Sequence, residues 1–286
     1  MRGFLALPVV YLLAMIGFPI VYNLIMSVQE VTLGNIADLV RPFVGFDNYR
    51  SVLADSSFRK VFVNSLLFVS FKVAAQIGIG LAVALYFSMS FPAAQLLRGL
   101  LLSSWMLPAL IVGALWKWIF ATDYGLANHF LAALHLINAP IHWLSDISVS
   151  LLSVTIANVW FGMPFSMILL AAALTGIPQE QYEAAALDGA GAVARFRYIT
   201  LPALKPTLLA VACLVTIYTM RAFDLIFAMT KGGPLDSSNV LPLLSYQFSF
   251  QQFQFGAGSA IGTFAFFIVF GVALLYVRTL GKENAA

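Results

Sequence analysis

The chain of 286 residues is 61% hydrophobic and 9% charged, where an average soluble chain carries about 25% charged residues. That composition excludes a soluble globular protein and identifies an integral membrane protein. A net charge of +3 spread over many loops argues against a nucleic-acid surface, and a single cysteine, Cys213, excludes a disulfide framework.

Crossing the hydrocarbon core as a helix takes about 20 apolar residues. Six runs meet that requirement, at residues 4–28, 61–87, 97–120, 149–174, 207–229 and 257–280. The first follows Arg2, but it is longer than a signal core of about 7 to 15 residues and no small-x-small cleavage site follows, so it reads as a retained helix. The expected fold is all-α, a polytopic membrane protein with six transmembrane helices in a single domain over residues 1–286.

Lysine and arginine in short loops set the orientation. With both termini cytoplasmic, the inner side holds Arg2, Arg98, Arg195, Arg197, Lys205, Arg278 and Lys282, and the outer side holds Arg41, Arg50, Arg59, Lys60 and Lys231. The outer loops, 29–60, 121–148 and 230–256, are about twice as long in total, so basic density favours this topology, while Arg59 with Lys60 argues against it. Tyr49, Tyr124, Trp143 and Tyr246 in these loops read as interfacial anchors. His129, His135 and His142 lie in one outer loop at spacings that fit no metal signature, so no metal site is expected.

Within the spans, ionisable groups are costly and point to a path for solute. Lys72, Lys117, Arg221 and Asp224 fall there. Lys117 is near enough to an outer end to snorkel. Lys72 shares a stripe with Gln76 that faces either a partner helix or a cavity. In the fourth run, Asn158, Trp160, Gly162 and Pro164 mark a kink that serves either packing or solute, because proline and glycine loosen the backbone ladder. In the fifth, Tyr218, Arg221 and Asp224 recur every third residue and so share one helix face. Arg221 and Asp224 either neutralise one another along the helix or serve the solute path, and in both cases that face needs a wet or protein-lined environment. In the sixth, Gly258 and Gly262 suit close helix packing.

Between the fourth and fifth runs, the loop 176–206 is polar. Pro178 suits the first turn of a helix, Glu180 and Glu183 place negative charge near its positive end, Ala184 to Ala186 favour helix, and Gly189 with Gly191 stops it. A second, basic segment, 192–198, is expected to lie at the membrane surface before Pro202 and Pro206 mark the return to the bilayer. Either this loop only hugs the headgroups, or its small, acidic helix docks a protein partner.

Glu183, Ala184, Ala185, Gly189, Ile199, Leu201 and Pro202 resemble the cytoplasmic signature of permease subunits of ATP-binding-cassette importers. The longer pattern from Tyr182 through Asp188 to Phe196 and Pro206 is similar to the carbohydrate-uptake branch. Phe223 and Asp224, then Thr230 to Pro234, Tyr246, Phe250, Phe255 and Gly256, together with Gly45 to Tyr49, resemble the first permease subunit of maltose-type or glycerol-phosphate-type importers. Ser237, Ser238 and Asn239 stand where relatives often carry threonine.

The resemblance implies a type I importer permease fold in a bacterial inner membrane. It also implies a second homologous permease subunit, two cytoplasmic ATPase subunits that bind Mg-ATP, and an external solute-binding protein. Glu183, Ala184, Ala185, Asp188, Gly189, Ile199, Leu201 and Pro202 would couple to the ATPase. Asn158, Trp160, Tyr218, Arg221 and Asp224 would line the solute path, and Gly232, Gly233 and Pro234 would touch the binding protein. The chain itself has no Gly-x-x-x-x-Gly-Lys-Ser/Thr loop, so it is expected to hold no nucleotide by that route, to bind no cofactor and to catalyse nothing.

The expected solute is a sugar, a polyol or an anionic sugar derivative. Three basic groups against one acidic within the spans favour the anionic kind. On composition alone the rival is a secondary transporter driven by an ion gradient. An intramembrane enzyme is disfavoured because no histidine lies in a span.

Overall fold

The computed structural model describes residues 8–89 and 91–283. Arg2 and the start of the first expected span lie outside the described residues, as do the chain termini and the side chain of Lys282. The described chain is helical, with two isolated β-bridges, Gln29 to Phe43 and Thr32 to Gln254. Five helices are long and apolar enough to cross a membrane. They are α1 (Pro8–Ser27), α3 (Ser56–Ser88), α7 (Ser150–Thr175), α9 (Ala192–Thr219) and α12 (Phe255–Glu283). Shorter helices are α2 (Asp47–Ala54), α4 (Ala94–Trp105), α5 (Ala109–Ile119), α6 (Leu126–Ala133), α8 (Gln179–Leu187), α10 (Asp224–Met229) and α11 (Leu241–Tyr246).

Two expected spans differ from single rods. The third is α4 and α5, bent by 101° at Met106 to Pro108. Pro108 cannot donate to the ladder and pushes Leu107 out of the helical region, which ends α4 there. The fifth breaks between Thr219 and Asp224, where the N–H groups of Arg221 and Ala222 tighten onto the carbonyls three residues back, Tyr218 and Thr219. Arg221 and Asp224 are therefore not on one continuous helix face, and no ion pair joins them among the described residues, so of the two alternatives for this pair neutralisation along a helix is not the one seen.

The basic segment after Gly191 also differs from expectation. It is the beginning of α9 rather than a separate surface segment. At Phe196–Thr200 the helix widens, and the N–H of Leu201 reaches back five residues to the carbonyl of Phe196. Pro202 follows this widened turn, so its ring and missing N–H are absorbed without a stop. The same device precedes Pro19, where Leu13–Gly17 widens and Phe18 donates to Leu13.

The chain forms two compact units. One comprises the described part of Met1–Ser65 together with Asn239–Ile268. Here Asn48 Nδ2 donates to the carbonyls of Ser27 (2.9 Å) and Gln29 (2.8 Å), and the Tyr49 hydroxyl bonds Ser27 Oγ at 2.7 Å. A Cβ on Gly256 would stand 2.5 Å from the Gln29 carbonyl and 2.8 Å from Asn48 Nδ2. The two motif fragments at Gly45 to Tyr49 and Phe255 to Gly256 are thus halves of one packed joint.

The other unit comprises Leu66–Ser238 with the described part of Val269–Ala286. Its core packs Ala84 and Phe87 of α3, Met163, Met167 and Leu170 of α7, and Val211 and Val215 of α9. Lipid tails are as apolar as these side chains, so close fit rather than water exclusion holds such helices together. Close fit is visible at Gly80, where a Cβ would lie 2.8 Å from the Ser166 Cβ, and at Gly113, where it would lie 2.6 Å from the Ala228 Cβ and 2.9 Å from the Leu225 carbonyl. Gly113 thereby seats α10 against α5. Ahead of α7, Asn128 of α6 bonds the carbonyls of Thr122 and Ile141 and the Trp143 indole, so Trp143 is a packed residue of this unit.

Candidate functional site

Both helix breaks of the second unit border one cavity of about 340 Å³. Trp105 and Ala109 flank the bend between α4 and α5, and Tyr218, Arg221 and Asp224 flank the break between α9 and α10; all five line the cavity. Asn158, Phe161, Gly162 and Phe165 of α7 and Lys72 and Gln76 of α3 complete the polar and aromatic wall. Interrupted helices inside a membrane are tolerated where irregular backbone lines a cavity, and such sites commonly hold solute.

The wall carries both polar and aromatic groups. Lys72 is buried, with Nζ 5.9 Å from the Phe68 ring centroid. Gln76 Nε2 donates to the Gly162 carbonyl (2.8 Å) and to Ser166 Oγ (3.0 Å), while its Oε1 is shielded and has no partner among the described residues. Gly162 leaves room for that amide, since a Cβ there would collide with it. Asn158 is buried and donates to the Val154 carbonyl at 3.0 Å, leaving its Oδ1 as an acceptor. On the same helix as Asn158, Phe165 packs against Trp105 and edge-on against Tyr218, each at 5.5 Å between centroids.

Of the five residues expected on the solute path, Asn158, Tyr218, Arg221 and Asp224 meet at this cavity. Trp160 does not. It points to the other side of α7, 38% exposed, with its ring edge-on to Trp116 at 5.8 Å; two positions along a helix turn a side chain by about 200°. Trp105 and Phe165 were missed by sequence reasoning. The signal available for Trp105 was its place just ahead of the helix-breaking Pro108.

The polar loop folds as α8, a glycine turn and the start of α9. Pro178 stands at the N-cap with an extended ψ of 132°. Glu183 and Ala184 are exposed, and Ala185 is half-buried. The helix ends in a Schellman closure, in which the N–H of Ala190 reaches the carbonyl of Ala185 (2.8 Å) and that of Gly189 reaches Ala186 (3.1 Å). This places Gly189 at φ +79°. Asp188 is exposed at the C-cap, Ile199 is half-buried in the widened turn, and Leu201 and Pro202 are exposed. The Tyr182 hydroxyl bonds Thr200 Oγ1 at 2.9 Å, and Thr200 is buried. That strut, unseen in the sequence, fixes α8 to the foot of α9.

Nothing lies within 4 Å of a Cβ added at Gly189, so only its left-handed backbone opposes substitution. Such a residue costs about 1–2 kcal/mol unless it is glycine or, more mildly, asparagine. Gly189→Val is therefore expected to loosen the end of α8 and lower transport, while Gly189→Asn keeps most of it; parallel uptake assays on the two variants check this.

The turn at Gly232, Gly233 and Pro234 is tied inward. Ser238 Oγ donates to the Gly233 carbonyl (2.6 Å) and lies 2.7 Å from Thr230 Oγ1, and the Gly232 N–H donates to Thr230 Oγ1 at 3.2 Å. Gly232 is buried and the other two are half-buried, whereas the flanking Lys231 and Leu235 are exposed.

The sequence profile described as "binding-protein-dependent transport system inner membrane component" matches residues 76–281. The trehalose/maltose transport system permease protein MalF of Thermococcus litoralis is 35% identical over 241 residues, 83% of this chain and 80% of that protein. The sulfoquinovosyl glycerol transport system permease protein SmoG of Agrobacterium fabrum is 31% identical over 242 residues, 85% of this chain and 78% of that one. The fold is similar to a chain in the crystal structure of a bacterial alginate ATP-binding-cassette transporter in complex with an alginate pentasaccharide-bound periplasmic protein. That likeness has a TM-score of 0.79 at 17% identity, covering 96% of this chain and 91% of the other.

Proposed function

Because this chain belongs to the family of binding-protein-dependent transport system inner membrane components, we propose that it forms half of a membrane pathway for a sugar, a polyol or an anionic sugar derivative. It is a transport permease subunit and not an enzyme; in importers of this kind the ATPase is a separate subunit. The observation that carries the solute reading is the cavity at the two helix breaks, where Tyr218, Arg221, Asp224 and Asn158 gather beside the aromatic pair Trp105 and Phe165. Hydroxyl-rich solutes are held by hydrogen-bond donors and acceptors together with ring faces, and this wall offers all of them.

Lys72 and Arg221 stand against one carboxylate, Asp224, on that wall. This balance favours a sugar carrying phosphate, sulfonate or carboxylate. SmoG, one of the relatives, carries sulfoquinovosyl glycerol by its name, whereas MalF is named for trehalose and maltose.

The proposed assembly comprises a second permease subunit, two ATPase subunits that bind Mg-ATP, and an external binding protein that touches the exposed rim around Gly232 to Pro234. Both termini and α8 face the cytoplasm. The helix α8 sits in a groove of an ATPase subunit, and closure of the ATPases around ATP pulls α7 and α9 through the Tyr182 to Thr200 strut, turning the cavity from one side to the other. Reconstitution of the chain with its neighbouring permease, ATPase and binding protein tests the reading. ATP-dependent uptake into vesicles is expected, and uptake that persists without ATP but collapses with the ion gradient would overturn it.

A further inference from the structure

A second cavity, of about 1160 Å³, lies at the other end of the same unit. Its wall is made by the end of α3, the start of α4, the end of α7, and the facing parts of α8 and α9. Two cations, Arg98 and Arg195, line it, and no Asp or Glu does. Arg98 Nη2 donates to the Phe87 carbonyl at 2.9 Å, and its guanidinium lies 5.7 Å from the Phe87 ring centroid. The Nε of Arg98 and the Nε of Arg195 are both shielded from solvent and have no hydrogen-bond partner among the described residues. Shielded donors without partners are rare in folded proteins.

Much of the rest of the wall is apolar, with Leu85, Met167, Leu174 and Ile177 among its residues, and Ser88, Thr175, Gln179, Tyr182 and Thr200 add uncharged polar groups. A guanidinium fork matches phosphate oxygens, which accept several donors at once. Basic pockets between membrane helices on the cytoplasmic side accept anionic headgroups.

We infer that this cavity binds a phosphate held by Arg98 and Arg195, supplied by an anionic phospholipid whose acyl chain follows the apolar wall. One bound phosphate would tie α4 to α9 next to the strut that fixes α8. The leaflet rests on the orientation proposed above; the binding itself does not, and neither does its test require transport.

The test is native mass spectrometry of the purified importer complex after delipidation, titrated with phosphatidylglycerol or phosphatidylcholine, alongside thermal melting with inorganic phosphate. Wild type is expected to retain phosphatidylglycerol preferentially, Arg98→Gln with Arg195→Gln to lose that retention at least tenfold (~1.4 kcal/mol), and the two Arg→Lys variants, which keep the charge without the fork, to fall between them. A melting rise with inorganic phosphate in wild type alone, without lipid retention, would keep the phosphate site and overturn the lipid source. Arg195→Gln serves alone if the double variant does not assemble, because Arg98 also braces Phe87. Equal retention of both lipids in wild type and the Gln variants, with no phosphate-dependent shift, would overturn the site.

Discussion

In proteoliposomes holding the assembled importer, Glu183→Lys is expected to remove most of the solute-stimulated part of ATP hydrolysis. Glu183 is exposed on α8, so the substitution leaves the chain's own packing intact and acts only on what touches the helix from outside. Against a basic groove, the partner that an acidic helix suits, reversing the charge sets like charges together at a cost of several kcal/mol, well above the ~1.4 kcal/mol that makes a tenfold difference. Stimulation should therefore fall roughly tenfold or more, with permease levels in the membrane unaffected. Equal stimulation in both proteins would mean that energy reaches the membrane through another contact.

Arg221→Ala carries the second large effect. The guanidinium stands at the cavity where α9 ends and α10 begins, with no ion pair to Asp224. Its donors are thus open to a solute anion or hydroxyl. A hydrogen bond to a charged group contributes about 1.5–3 kcal/mol, which corresponds to roughly a tenfold to hundredfold loss of uptake. The loss should be greater for an anionic sugar derivative than for its neutral parent; Asp224→Asn should show the opposite preference. Uptake of both solutes unchanged by Arg221→Ala in an assembled complex would remove this residue from the path.

Where the signal was local, the chain could be read before its fold was seen. The length of the apolar runs marked the spans, and α7 begins and ends within one residue of expectation. Pro178, the alanines and Gly189 marked α8 because each acts through its own backbone geometry. What was not legible depends on partners far away in sequence. Trp160 shares a segment with Asn158, and only packing shows that it faces Trp116 instead of the cavity. The break after Thr219 has neither glycine nor proline to announce it, and it is closed by tightened turns at Arg221 and Ala222. The widened turn before Pro202 hid the continuity of α9, since two prolines beside a basic segment read as a boundary. Gln76 and Gly162 are 86 residues apart, and nothing in either one alone pairs them.

The claim that α8 is the seat of the ATPase subunit is tested most directly by its accessibility. The one native cysteine, Cys213, is buried, and Ala184 is exposed on α8, so Ala184→Cys in a Cys213→Ser background gives a single reporter thiol. Maleimide labelling of that thiol should be rapid when the two permease subunits are assembled without the ATPase and at least tenfold slower once the ATPase is bound, as expected for a side chain buried at an interface. Labelling at the same rate with and without the ATPase would contradict the docking of this helix.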